Sequence, residues 1–344
     1  MRNLSVRFTS VALGVALIAV SAQRAQAKCS LIECGTNSPY LSQYSFHELN
    51  FDGLPNDEGL IVTGLESPLV WWTQLYPRVE ADRLTAVDGH GNTWLHGTML
   101  GGATITIIDS APEPRKFELQ IQTVYGGFDL WVDPNGEELE SYKLSWKEAG
   151  APPQDFRPLC TLPPPQVIGD GQEWYPDPDG TLLFTGDRYS AEKKMVYDTD
   201  PHSTMGWVNV ACAGGAKYKM FMTRHATVTS DDLHQSDEKQ RTAMLKMYVS
   251  DVCGDGQSFT KQGTPLHWTN EKDWGYVTWS EYDTEAYWGA EGALCLNVHR
   301  LGDTFVNEIE AACHLPTCES AFPTAPGHWP DGAYVVSRLP VKPI

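Results

Sequence analysis

The chain has 344 residues, of which 25 are Lys or Arg and 44 are Asp or Glu, so its formal net charge is −19. A surface this acidic repels nucleic acids and anionic lipids, which argues against a nucleic-acid-binding or membrane-surface protein. Solubility outside the cell is a simpler role for the charge than attraction to a specific cationic partner.

The first 27 residues have the three parts of a secretory signal. Arg2 and Arg7 precede an apolar run over residues 11–20, and the small residues Ala25 and Ala27 follow it. We predict cleavage after Ala27. No later segment approaches the roughly 20 apolar residues that a membrane-spanning helix needs. The mature chain is therefore predicted to be secreted, periplasmic or cell-surface, without a membrane span.

The eight cysteines are an even number in a chain predicted to be exported, which favours disulfides over metal sites. Cys29 with Cys34, and Cys313 with Cys318, are close enough in sequence to close small loops. The remaining four pair over longer distances, and the sequence leaves all three pairings open: Cys160, Cys212, Cys253 and Cys295. Cys253 is expected to be bonded in this compartment and so not to act as a nucleophile.

Residues 28–102 are rich in turn signals with short apolar pieces between them, which indicates short strands and ordered loops. Their aromatic residues argue against disorder: Trp71, Trp72, Tyr76 and Trp94.

The clearest strand pattern is KFELQIQTVY at residues 116–125. Its apolar residues Phe117, Leu119, Ile121 and Tyr125 alternate with polar ones, as in a half-buried strand. A turn at residues 133–136 and a further alternation at 142–146 predict a hairpin within an antiparallel sheet.

Prolines crowd the segment APPQDFRPLCTLPPPQ, which marks a connection because proline cannot donate to a strand ladder. We place a module boundary near Pro165. This gives a β-rich module at residues 28–165, a second module at 166–319 and an irregular tail at 320–344.

The second module is predicted to have strands near residues 181–185, 206–213, 275–288 and 293–299. One main helix is predicted over about 231–252, with a capping box at Thr229 and Asp232, a polar first half facing water and a left-handed cap at Gly254. The predicted fold class is α+β: mostly antiparallel β, with this helix packed on a sheet and disulfides stapling the chain.

Several ordered pieces resemble the ADYC domain of exported bacterial proteins: VACAGGAKYKM, DDLHQ, MLKMYVSDVCGDGQSFTKQGT and EAYWGAEGALCLNVHRL. Ser250, Asp251, Val252 and Cys253 take the place of the Ala-Asp-Tyr-Cys motif that names the family. The resemblance implies export and a disulfide-bearing fold, and it supplies no catalytic residues.

The chain departs from the family pattern at three positions. Cysteines stand in the family where this chain has Tyr218 and Met244, and a histidine stands at Phe259. Loss of both ends of one bridge would explain the even cysteine count that remains.

No G-x-S-x-G elbow, H-E-x-x-H helix or phosphate-binding glycine loop occurs in the sequence. If the chain is an unrecognised hydrolase, its candidate acids and bases near Cys253 are His234, Asp251, Asp255, His267 and Glu285. Local turn and surface roles for these residues are the favoured interpretation.

Two Asp-rich runs, with Asp177 and Asp179 in one and Asp198 and Asp200 in the other, offer oxygens that suit calcium. Neither run completes a calcium-binding loop, so turns are the better explanation. No metal and no cofactor are predicted.

Aromatic residues crowd the segment 268–288, and four of them are the candidates for binding: Trp268, Trp274, Trp279 and Trp288. Exported β-proteins use such rings as platforms for sugars or proteins, although packing in a sheet explains them as well and is favoured. The leading hypothesis is a non-catalytic extracellular binding or structural protein whose partner is a protein or a carbohydrate.

Overall fold

In the computed structural model, structure is described for residues 39–132, 138–160, 166–167, 173–174, 180–223, 225, 236–260, 264, 266–271, 282–302, 306–321 and 329–340. The predicted signal, Cys29, Cys34 and His234 lie outside these residues. So do Asp177, Asp179, Trp274 and Trp279.

The strands of the first half of the chain are β1 (Tyr40–Leu41), β2 (Tyr44–Ser45), β3 (Glu48–Asn50), β4 (Leu60–Ser67), β5 (Val70–Glu80), β6 (Arg83–Val87), β7 (Thr93–His96), β8 (Thr104–Asp109), β9 (Lys116–Val132), β10 (Glu138–Glu148) and β11 (Arg157–Pro158). Those of the second half are β12 (Gln166–Val167), β13 (Glu173–Trp174), β14 (Gly180–Phe184), β15 (Arg188–Ser190), β16 (Met195–Asp198), β17 (Trp207–Cys212), β18 (His267–Asn270), β19 (Tyr282–Gly289), β20 (Gly292–Leu296) and β21 (Val335–Pro340). The helices are α1 (Ala216–Met222), α2 (Glu238–Val249), α3 (Val306–Ala312) and α4 (Cys318–Ala321), with 3-10 turns at Gly97–Leu100 and Pro153–Asp155.

One large antiparallel sheet dominates the described residues. Its order is β3-β17-β14-β10-β9-β8-β4-β5-β6-β7, with β11 paired to β10. A second sheet has the order β18-β21-β19-β20, and three strand pairs stand apart. The prediction of a mostly antiparallel β protein is therefore confirmed.

The hairpin predicted around residues 116–146 is formed by β9 and β10. Phe117, Leu119 and Ile121 are buried as their alternation predicts, but Val124 takes the buried position that the pattern assigned to Tyr125. The reason is a register shift in which Lys143 pairs with Thr123 while Leu144 pairs with Ile121. The extra residue in β9 exchanges the two faces beyond it.

The described residues form two hydrophobic cores. The first lies in the large sheet and includes Leu65, Phe117 and Tyr142. The second gathers α1, α2 and the sheet of β19 and β21, and includes Phe221 and Trp288. The large sheet itself crosses the predicted boundary near Pro165, because β14 and β17 pair between β3 and β10.

Helix α2 begins later than predicted. Asp237 is its N-cap and forms a capping box with Gln240, whereas Thr229 and Asp232 lie outside the described residues. Gln240 and Arg241 are buried, so the prediction that the first half of the helix faces water is wrong for them. The chain has four helices among the described residues, and the prediction of a single main helix is not confirmed.

The left-handed cap of α2 falls on Ser250, with a φ of 55°, and not on Gly254. Gly254 also has a positive φ, and a second constraint requires glycine at this position. A Cβ atom at this position would collide with the backbone carbonyl of Glu291, in the turn between β19 and β20. The loop after α2 thus packs backbone to backbone against the second sheet.

Among the described residues, three disulfides join Cys160 to Cys212, Cys253 to Cys313 and Cys295 to Cys318. The prediction that Cys313 is bonded to Cys318 is wrong. Cys313 follows α3 and is bonded to Cys253 in the loop after α2, whereas Cys318 lies in α4 and is bonded to Cys295 in β20. The sequence left open how Cys160, Cys212, Cys253 and Cys295 bond to one another, and of these possible bonds only that of Cys160 with Cys212 occurs.

The end of the chain also differs from the irregular tail predicted for residues 320–344. Residues 335–340 form β21, which pairs with β18 on one side and β19 on the other. Val335 and Val336 are buried there. The burial of Val335 and Val336 favours a strand here, despite the prolines around them.

Candidate functional site

The acidic candidates Asp251 and Glu285 are both buried, and each is held by its own cation. Lys246 Nζ lies 2.6 Å from Asp251 Oδ2 and also donates to the carbonyl oxygens of Lys193 and Gly254. The backbone N–H of Gly256 donates to the same carboxylate at 3.1 Å. Burial still raises the pKa of Asp251 above its usual value. This pair closes the loop that carries the family motif.

Glu285 lies on β19 and accepts two hydrogen bonds from Arg300, at 2.8 and 2.6 Å. Arg300 also donates to the carbonyl oxygen of Met247 near the end of α2. Ser337 Oγ donates to Glu285 Oε2 at 2.7 Å and accepts from the indole N–H of Trp288 at 2.7 Å. Glu285 therefore links α2, β19 and β21 through a hydrogen-bonded buried ion pair.

A third buried ion pair holds the start of α2. Arg241 donates to both carboxylate oxygens of Asp187, which lies between β14 and β15. It also donates to the carbonyl oxygen of Ser236. The buried acids around α2 are thus engaged with cations.

The remaining candidates for acid-base chemistry do not join these acids. Asp255 is exposed and accepts a hydrogen bond from the backbone N–H of Gln257, as a turn residue does. His267 is half-buried on β18, with its ring 3.9 Å from that of Tyr282. Among the described residues, the hydrogen bonds and ion pairs of the candidates connect none of them to another. Their arrangement favours structural roles.

The Asp-rich run at β16 behaves as a turn. Asp198 accepts from the backbone N–H of Asp200 and from Ser203 Oγ, and Asp200 accepts from the backbone N–H of His202. Within the described ranges, no group of three or more His, Cys, Asp or Glu side chains is placed to hold a metal ion.

Of the four tryptophans proposed from the sequence as binding residues, only Trp268 and Trp288 are among the described residues, and both are wholly or partly buried. Trp288 has no exposed surface, and its N–H is bonded to Ser337. Trp268 is half-buried and packs edge to face against His225 and Tyr248. Stacking on a ligand would require Trp288 to leave the second core, so it is a packing residue.

Among the residues that the structure describes, the most exposed indoles lie on β5 and β7. Trp71 is 80% exposed, Trp72 58% and Trp94 38%. The rings of Trp71 and Trp72 meet edge to face with centroids 5.9 Å apart, and those of Trp72 and Trp94 with centroids 6.2 Å apart. We call these three residues the tryptophan surface.

A multi-residue bulge in β5 exposes Trp71 and Trp72 together. Ser67 of β4 pairs with Val70, and Leu65 pairs with Leu75, so one residue of β4 faces four of β5. In a regular strand neighbouring side chains point to opposite faces, and one indole would be covered. The bulge turns both outward, and bulges recur beside functional sites.

Trp94 is held in place by the turn that follows β6. Its indole N–H donates to Asp88 Oδ2 at 3.0 Å, and Asn92 Nδ2 donates to the same oxygen at 3.0 Å. The backbone N–H groups of His90 and Asn92 donate to Asp88 Oδ1. These bonds, with that from the Asn92 side chain first, lower the pKa of Asp88, which is half-buried and ionised at neutral pH.

An open groove of about 620 Å³ runs beside Trp71 and Trp72. It is lined by the bulge and by the neighbouring ends of β4 and β8: Leu65, Glu66, Ser67, Pro68, Val70, Trp71, Trp72, Thr73, Gln74, Gly102 and Thr104. Gly64 lies under the bulge, where a Cβ atom would come within 2.6 Å of Gln74 Nε2. The groove thus combines exposed indoles with hydroxyl, amide and carboxylate groups.

The sequence contains one signal for the tryptophan surface, although Trp71 and Trp72 were used there only as evidence against disorder. Two adjacent tryptophans in a strand cannot both point into one core, because the side-chain period is two. At least one of Trp71 and Trp72 must therefore be exposed or lie at an irregularity.

Two findings on the whole chain complete this picture. No helix among the described residues is long and apolar enough to cross a membrane. No curated protein and no solved structure matches the chain.

The ADYC domain matches residues 97–302, more than half of the chain. The matched region contains the loop in which Asp251 pairs with Lys246 and Cys253 is bonded to Cys313. The motif residues thus join α2 to the second sheet and to α3. By this match, the chain belongs to the ADYC domain family.

Proposed function

We propose that this protein is an exported, disulfide-bonded, non-catalytic binding protein of the extracellular space or cell surface, and that it binds its partner at the tryptophan surface. One observation carries the proposal: the bulge in β5 presents Trp71 and Trp72 to solvent, with 80% and 58% of their surface exposed. Exposing two adjacent indoles forgoes the stabilisation that their burial would give. Such exposed apolar groups commonly mark interaction sites.

Export is supported by the pattern of the first 27 residues and by three disulfides, which persist in oxidising compartments. Non-catalytic action is supported by the engagement of Asp251, Glu285 and Asp187 with buried cations. A general acid or base needs access to a substrate, and these carboxylates have none.

The test compares the exported protein with its Trp71→Ala/Trp72→Ala double variant. Fluorescently labelled protein is titrated onto a cell-envelope fraction from the organism that makes it, and the bound amount is measured against concentration. We expect saturable binding by the wild type and loss of that binding in the double variant.

The matched control is Met205→Ala, which truncates an exposed apolar residue between β16 and β17. It should bind as the wild type does. Equal binding by the wild type and the double variant would overturn the proposed site, and absence of saturable binding by the wild type would overturn the proposed function.

A further inference from the structure

We propose that the partner held at the tryptophan surface is an uncharged polysaccharide built of hexopyranose rings. This inference rests on the proposed function and names the chemical class of its ligand. Three independent features of the surface lead to it: the arrangement of the indoles, the polar lining of the groove and the sign of the local charge.

The indoles form a stepped surface and not a flat patch. The ring planes of Trp71 and Trp72 are 85° apart, and those of Trp72 and Trp94 are 78° apart. A hexopyranose has an apolar face of axial C–H groups, which packs on the face of an aromatic ring, and hydroxyl groups around its edge. Indoles that face different directions suit successive sugar rings of a chain that changes direction.

Two of the three indoles are also positioned by contacts within the surface. Asp88 fixes Trp94 through its indole N–H, and Trp94 in turn supports Trp72. Trp and Tyr rings placed in advance lose little conformational entropy on binding, which matters for a ligand that offers few apolar atoms per ring.

The groove beside the indoles supplies partners for hydroxyl groups. Ser67, Thr73 and Thr104 contribute hydroxyls, Gln74 an amide and Glu66 a carboxylate. The groove, of about 620 Å³, is open to solvent, so a short stretch of sugar rings can lie along it beside the indoles. A stable protein partner would instead cover about 800 Å² and bring an apolar centre, which this mostly polar groove does not match.

Charge decides between neutral and anionic polysaccharides. Glu66 lines the groove, Asp88 lies beside the indoles, and no Lys or Arg is among the groove residues within the described structure. The chain as a whole has a formal charge of −19. An anionic polysaccharide such as polygalacturonate would be repelled, whereas an uncharged one would not.

The direct experiment is affinity electrophoresis of the full exported protein in native gels that contain soluble starch, laminarin or hydroxyethylcellulose. Polygalacturonate and a gel without polysaccharide serve as comparisons. We expect retardation in at least one neutral gel and none in polygalacturonate. The Trp71→Ala and Trp72→Ala single variants should each weaken the association by about tenfold or more, as at a binding hot spot.

A second arm uses the cell-envelope assay, so that failure of this inference can be told from failure of the proposed function. The envelope fraction is treated with trifluoromethanesulfonic acid, which cleaves glycosidic bonds and leaves peptide bonds intact, or with a protease. The inference predicts that the acid treatment abolishes binding of the wild type and that protease leaves it unchanged.

The contrary results are equally specific. Binding that depends on Trp71 and Trp72 but is lost on protease treatment would identify a protein partner, overturning the polysaccharide while the binding function stands. Retardation by polygalacturonate, or by no neutral polysaccharide, would also overturn it. Envelope binding that is unchanged in the Trp71→Ala/Trp72→Ala variant would overturn both proposals.

Discussion

Two aromatic-rich regions of this protein use the same residue type in opposite ways. Around β19 and β21, Trp288 is fully buried and bonded to Ser337, within the second core. On β5, Trp71 and Trp72 lie in a bulge and face solvent. The density of tryptophan in the sequence is no guide to exposure, whereas strand register is. The described part of the segment with most aromatic residues places Trp288 in a core, and the smaller set on β5 and β7 is the candidate binding surface.

The largest effect is expected where an aromatic residue is buried. Trp288→Ala should lower the free energy of unfolding by about 4 kcal/mol, because it leaves a cavity in the second core and removes a bond to Ser337. Denaturant unfolding followed by circular dichroism measures it. Trp288→Phe, which keeps most of the volume, should cost clearly less. A loss below about 1 kcal/mol for the alanine variant would contradict the assignment of Trp288 to the core.

The buried ion pair next to Trp288 sharpens the comparison. Glu285→Gln should cost about 3 kcal/mol, since it leaves the guanidinium of Arg300 buried without its counter-charge. Asp255→Asn, which changes an exposed turn acid, should stay within about 0.5 kcal/mol. If the two variants melt at the same temperature, Glu285 does not have the structural role described above.

Acid should destabilise the large sheet and the second sheet through one buried histidine each. Burial lowers the pKa of His47, beside β3, to about 3 and that of His299, after β20, to about 4. Both lie below the ordinary value of 6.5, so the unfolded chain binds more protons. Their contribution is fully present above pH 6.5 and is lost as the pH falls toward 4 and 3. At pH 5 each should cost about 2 kcal/mol.

Unfolding measured between pH 7 and pH 5 checks this dependence. His299→Gln should make the free energy of unfolding less dependent on pH, because it removes the contribution of one of the two histidines. A stability that is constant over this range in the wild type would show that neither imidazole is kept neutral by burial.

The smallest change in stability is expected at the tryptophan surface. Trp71→Ala and Trp72→Ala should each alter the free energy of unfolding by less than about 1 kcal/mol, because exposed rings bury little surface and edge-to-face pairs contribute only modestly. Differential scanning calorimetry measures both. A loss as large as that of Trp288→Ala would show that these indoles are packed and not presented.

Sequence periodicity predicted the antiparallel character of the chain, because alternation at residues such as Phe117, Leu119 and Ile121 reports one buried face directly. It did not predict the exchange of Tyr125 for Val124, since a single extra residue in a strand leaves no local signal. The disulfide of Cys253 with Cys313 was likewise out of reach, because pairing depends on which helices meet.

The tryptophan surface was harder to predict from the sequence, since it depends on an irregular pairing of two strands. The bulge, in which one residue of β4 faces four of β5, depends on how two strands pair. Within the sequence of β5 alone, only the adjacency of Trp71 and Trp72 indicates it. The polar residues at the start of α2 illustrate the opposite error. Arg241 was assigned to the surface by its charge, but Asp187, distant in sequence, draws it into the interior.

The contrast between the two aromatic regions is tested most directly by hydroxyl-radical footprinting read out by peptide mass spectrometry, with and without the neutral polysaccharide that retards the protein. The account predicts that Trp71 and Trp72 are oxidised several-fold faster than Trp288, and that the polysaccharide protects Trp71 and Trp72 alone among these three. Oxidation of Trp288 at the same rate, or no protection of Trp71 and Trp72 by a polysaccharide that binds, would contradict it.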